Sequence, residues 1–126
     1  MISPPQHFER ARRNLASGHL LFANNFMEEA GRAAYLAAFH AAQAFTISLT
    51  GNEPKTHRGA RTEFLRLTRD DRRVEPRFGI FLAKSYEYKT MADYEGSSPI
   101  DPEDAAAALA TAAEMVDALE RVILPV

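Results

Sequence analysis

Four histidines, His7, His19, His40 and His57, are the side chains in this sequence best suited to exchange a proton near neutral pH. None is paired with a carboxylate at the spacing of a metal site, so no metal and no cofactor are expected. The absence of cysteine removes thiolate zinc sites, thiol nucleophiles and disulfides. The glycine-rich phosphate loops, the H-E-x-x-H zinc helix and the G-x-S-x-G nucleophile turn are also missing. His57 stands apart from the other three, because Lys55 and Arg58 flank it. A histidine among fixed cations is placed to act on an anion, either by moving a proton or by holding a charge.

Charge is distributed unevenly around that residue. Between Lys55 and Arg77 eight basic residues outnumber four acids, a local balance of +4, whereas Asp93 to Val126 carries eight acids against Arg121, a balance of -7. The formal total is only -2. Such polarity steers an anionic partner to one face, or draws two helices or two copies together, or is a solvated helix surface.

The elements that must position these groups read as helices. Ser3 is suited to cap a first helix over about 4–26, with Pro4 and Pro5 in its first turn, and Phe8, Ala11, Leu15, Phe22 and Phe26 form its apolar stripe. The second, over about 28–50, is alanine-rich and apolar on two sides, which predicts a central helix. Its Tyr35 is expected in the core with its hydroxyl on a polar partner, and His40 is expected to hydrogen-bond a neighbouring helix. Gly51 and Pro54 end that helix. A third starts at the Thr56 cap and turns Ala60, Phe64 and Leu67 inward. Arg69–Arg77, containing Pro76, reads as a connection. A fourth helix follows over about 78–94, using Phe78, Phe81, Leu82, Ser85 and Tyr88. After a loop, Asp101 caps a fifth helix whose stripe is Leu109, Ala112, Val116, Leu119 and Ile123.

Together these predict an all-α fold, an antiparallel up-and-down bundle of four to five helices forming a single domain over 1–126. The 46% hydrophobic and 25% charged residues suit a chain that buries its own core without disulfide or metal. No stretch is long and apolar enough for a membrane span, and no leader sequence is recognisable, so the chain is expected to be cytoplasmic.

Three blocks, in order, resemble the compact proteins of the HEPN family. Arg32-Ala-Ala-Tyr35-Leu-Ala-Ala-Phe39-His40-Ala-Ala is similar to their second helix, R-x-A-Y-Y-A-x-F-H-A-A. Lys55-Thr56-His57-Arg58-Gly59 matches their K-T-H-R-G turn, and Lys89-Thr-Met-Ala92-Asp93-Tyr94 is similar to their R-x-x-A-D-Y helix end. The resemblance implies a helical bundle that dimerises, with functional residues in a cleft at the helix ends. Many members are metal-independent ribonucleases, often toxins, and some pair with a minimal nucleotidyltransferase antitoxin.

Ribonuclease members carry arginine, four to six variable residues and then histidine late in the fold. Here Lys89 and Tyr94 stand at those places. Lysine keeps the charge without the bidentate fork, and tyrosine is a poor base near neutral pH. A literal match, Arg13 to His19, lies on the first helix and is read as chance. The resemblance therefore implies a dimer that binds RNA or a nucleotide in a basic cleft, with a degenerate ribonuclease motif. In that cleft His57, Lys89 and Tyr94 are the catalytic candidates, and Lys55, Arg58 and Asp93 are the binding candidates. The alternative is a non-catalytic partner of a minimal nucleotidyltransferase, with Tyr94 as a modification target.

Overall fold

The first helix is set by its cap. Ser3 Oγ accepts the Gln6 N–H at 3.3 Å while Gln6 Oε1 accepts the Ser3 N–H at 2.8 Å, a reciprocal pair that satisfies two otherwise orphaned donors. The computed structural model describes residues 1–93 and 100–124, and in it α1 runs Pro4–Ala23, α2 Met27–Thr50, α3 His57–Thr68, α4 Pro76–Asp93 and α5 Pro102–Ile123. Gly51 at φ 76° closes α2, the Thr56 hydroxyl accepts the Gly59 N–H at 2.9 Å to open α3, and Asp101 accepts the Glu103 N–H at 2.8 Å to open α5. A Cβ on residue 59 would sit 2.9 Å from the Thr56 hydroxyl oxygen, so glycine there leaves the cap its space.

Two boundaries differ from the sequence reading. Helix α1 stops at Ala23 because Asn25 takes a left-handed φ of 67°, which turns the chain into α2. Phe26 therefore leaves the α1 stripe and stands 53% exposed before α2. Pro76 and Arg77 belong to the first turn of α4 rather than to the connection, since a proline with no N–H to offer suits that position. Tyr94 lies outside the described residues.

Helix α2 is the hub. It packs on all four other helices, and these follow one another around it as α3, α4, α5 and α1, with α1 and α3 making no contact with each other. Alanines 30, 34, 37, 38, 41 and 44 on α2 are fully enclosed, so neighbouring backbones come close from several sides. At Gly18 on α1 the approach is closest, and an added Cβ would lie 2.6 Å from Leu109 Cδ2 and 3.2 Å from the Ala33 Cβ. Phe8, Tyr35, Phe45, Phe64, Phe78, Leu82, Met115 and Leu119 fill the remaining core. Among the described residues there is no strand, and no helix is long and apolar enough to cross a membrane.

Candidate functional site

Because α1 and α3 do not meet, one face of α2 is left partly open. Arg32, Leu36, Phe39 and His40, spaced to share a helix face, are its half-buried residues there. Their neighbours from α1, α3 and α4 include His7, His57, Arg61 and Lys89.

His57, the first residue of α3, is half-buried. Its Nδ1 lies 2.8 Å from the hydroxyl of Tyr35, which is itself fully enclosed on α2. Phe39 and Tyr86 enclose the imidazole, with ring centroids at 4.5 and 5.6 Å. Burial lowers its pKa, and the positive charges of Lys89, Arg61 and Arg32 lower it further while Asp93 opposes them. His57 is thus a neutral imidazole at neutral pH. Tyr35 is pushed up to about 12 by burial against the pull of the facing Arg61 guanidinium, so its hydroxyl keeps its proton.

Arg61 lies with its guanidinium 4.2 Å from the Tyr86 ring centroid, and one of its terminal nitrogens is buried without a partner. An arginine only donates, and among the described residues His57 Nδ1 is the one acceptor within reach of the enclosed Tyr35 hydroxyl, which therefore donates to it. That fixes the hydrogen of His57 on Nε2.

Lys89 and Arg32 meet at Asp93, whose carboxylate accepts from Lys89 Nζ at 2.9 Å and from Arg32 Nε at 3.1 Å. The Lys89 hydrogen bond, with the two cations, holds the Asp93 carboxyl below the usual carboxylate range. Of the residues singled out in the sequence, the fold brings His57, Lys89 and Asp93 into one neighbourhood. Lys55 and Arg58 are exposed beside His57 and make no ion pair among the described residues. Arg13 is paired with Glu9 at 2.6 Å and His19 is exposed on α1, and neither makes a hydrogen bond or ion pair with the residues of this cleft among the described residues.

Sequence reasoning missed Arg32 and Arg61 as members of the cluster, and it missed a second polar group beside it. His7 is buried on α1, with Nδ1 3.0 Å from His40 Nδ1 and Nε2 2.6 Å from Glu53 Oε1. Gln43 holds the loop carrying Glu53 by donating to the Pro54 carbonyl at 2.9 Å. Burial lowers the pKa of His7 against the pull of Glu53; burial, with the charges of His7, Arg10 and His57, lowers His40 to about 4. The helical spacing of His40 with Tyr35 and Phe39 was visible, but the pairing of His7 with Glu53 joins positions 46 residues apart and left no local signal. Among the described residues no group of three His, Asp or Glu is arranged to hold a metal ion.

The chain is 30% identical over 115 residues to a protein of Methanocaldococcus jannaschii named "Putative toxin MJ0605", an alignment covering 91% of this chain and 84% of that one. The HEPN domain pattern matches residues 5–122, a span that takes in all five helices but the first residue of α1 and the last of α5. With a bundle organised around α2, and with a His57 site formed where the second, third and fourth helices converge, the chain belongs to the HEPN family.

Proposed function

We propose that this chain is a toxin-type HEPN protein that binds RNA in the cleft around His57 and cleaves it without a metal, acting as a homodimer. The observation that carries this reading is the neutral, Tyr35-held imidazole of His57 set among Arg32, Arg61 and Lys89. Its Nε2–H and the flanking cations form a donor set for phosphoryl oxygens, and exposed Lys55 and Arg58 extend that positive surface. The similarity to a protein named as a toxin supports the same class of role.

In this role Lys89 substitutes for the arginine of the ribonuclease pattern, and its tie to Asp93 keeps it oriented by an i to i+4 contact on α4. Tyr94, which lies outside the described residues, is assigned as a hydrogen-bond donor to the substrate. The test is cleavage and binding of single-stranded RNA by the purified chain beside His57→Ala and Lys89→Ala. Cutting by the parent chain that falls by at least tenfold in either variant supports the reading. RNA that is neither cut nor bound would leave the second assignment, a non-catalytic partner of a minimal nucleotidyltransferase. That assignment is favoured by one observation, the pairing of Lys89 and Arg32 with the Asp93 carboxylate, which reduces the positive charge they offer an anion.

A further inference from the structure

The Glu53–His7–His40 chain has the connectivity of a proton relay. A carboxylate only accepts, so the 2.6 Å contact places a hydrogen on His7 Nε2. Neutral His7 then presents a lone pair at Nδ1, and the 3.0 Å contact requires His40 Nδ1 to be the donor. What remains on His40 is an unprotonated Nε2, which has no protein partner among the described residues, on a half-buried ring. His57 is held in the opposite tautomer by Tyr35. The two imidazoles are separated along α2 by Phe39, whose ring lies 5.4 Å from that of His40 and 4.5 Å from that of His57. One open face therefore carries a ring nitrogen that accepts and another that donates.

We propose that His40 Nε2 is the base that takes the 2′-hydroxyl proton of an RNA strand, with His7 and Glu53 as its positioning residues. This rests on the ribonuclease reading above. In the step, His40 Nε2 accepts the 2′-hydroxyl hydrogen as its own Nδ1 hydrogen passes to His7 Nδ1. The new positive charge thus resides on His7, against the Glu53 carboxylate. The 2′-oxygen forms a bond to phosphorus, the bond to the 5′-oxygen breaks, and that oxygen takes a proton from water. The relay later returns its extra proton to solvent. His57 Nε2–H with Arg61 and Lys89 receives the charge on the phosphoryl oxygens, a task that a neutral imidazole can perform by hydrogen bonding.

The groups facing His40 are His7 and Arg10 from α1, Glu53 from the loop and His57 from α3. Burial, with the positive charge of Arg10, keeps the pair neutral and ready to accept at pH 7, and Glu53 raises its proton affinity. Glu53→Gln thus weakens the base and shifts the acid limb of the pH–rate profile to lower pH, which a merely structural role would not do.

Two measurements on the full chain decide the proposal. The first is a long-range 1H–15N spectrum of the histidine rings at pH 7, assigned with His40→Ala and His7→Ala. The expected result is a protonated Nδ1 on His40 and a protonated Nε2 on His7; a protonated Nε2 on His40 overturns the relay whatever the chain does to RNA. The second is cleavage of a single-stranded RNA and of its 2′-O-methyl counterpart. His40→Ala is expected to lose about 10²–10⁴-fold in rate while still binding RNA, and the 2′-O-methyl strand to be bound but uncut. Cutting at the parent rate by His40→Ala overturns the base assignment and leaves the ribonuclease reading standing. A parent chain that leaves RNA intact overturns both together.

Discussion

Tyr35 shows how one hydroxyl can set the state of a neighbouring site. It is enclosed on the hub helix, faces the Arg61 guanidinium and donates to His57, so removing its oxygen leaves the imidazole nitrogen without its partner. Tyr35→Phe is expected to cost about 1–3 kcal/mol, read from the midpoint of urea unfolding, and to release His57 from its single tautomer in the ring spectrum. The two other histidines give the chain a pH dependence. His7 and His40 have pKa values lowered in the fold, so in the window from about 6.5 down to about 4 the unfolded chain binds more protons than the folded one. Stability therefore falls as pH is lowered through that window and recovers above it. Urea midpoints at pH 7 and pH 5 should differ in that sense for the parent chain and differ less for His40→Gln. Equal differences in the two proteins would remove His40 as a source of the dependence.

At the scale of elements, position is decided by helix ends and by how closely helices approach. Thr56 opens α3 and so places His57 one residue inside it, facing α2. Thr56→Ala is expected to cost about 1 kcal/mol in thermal or urea unfolding through loss of the cap. The α1 crossing relies on the missing side chain at Gly18, where even a Cβ would crowd Leu109 and Ala33. Gly18→Val is expected to cost about 1–3 kcal/mol, because Leu109 can turn away from the new methyls but the Ala33 Cβ on α2 has no rotamer to escape into. Unfolding of Gly18→Val at the parent midpoint would show that α1 and α2 have room for a side chain at this crossing. The α1–α2 turn illustrates the opposite case, in which a left-handed Asn25 ended a helix whose apolar spacing alone would have carried it on to Phe26.

Over the whole molecule, much of the charge asymmetry is settled internally. Arg66 pairs with Glu63 and Arg73 with Asp71 within the basic segment, while Arg77 reaches Glu114, and Arg12 meets Asp117 and Glu120, across to acidic α5. Exposed pairs of this kind add little to stability, because water screens them, but they occupy the cations that form them. RNA binding is expected to depend on the residues around His57, where a half-buried imidazole adds a donor, more than on the paired Arg66, Arg73 and Arg77. Lys89→Ala should flatten the slope of log affinity against log salt by about one, and Arg73→Ala should leave it unchanged. Light scattering of the purified 14.0 kDa chain is expected to give twice that mass; a monomer would remove the homodimer from the proposed reading. The sequence by itself determined the helical architecture, the caps at Ser3, Thr56 and Asp101, the central place of α2 and the family. Each of these is written in local spacing, in the chemistry of one turn or in a contiguous block of residues. Only the tertiary structure decided that Arg61 faces Tyr35, that Arg32 and Lys89 share Asp93, and that Glu53, His7 and His40 are joined. Those contacts link helices far apart in the chain, and the angle at which helices cross, which no local pattern encodes, selects them.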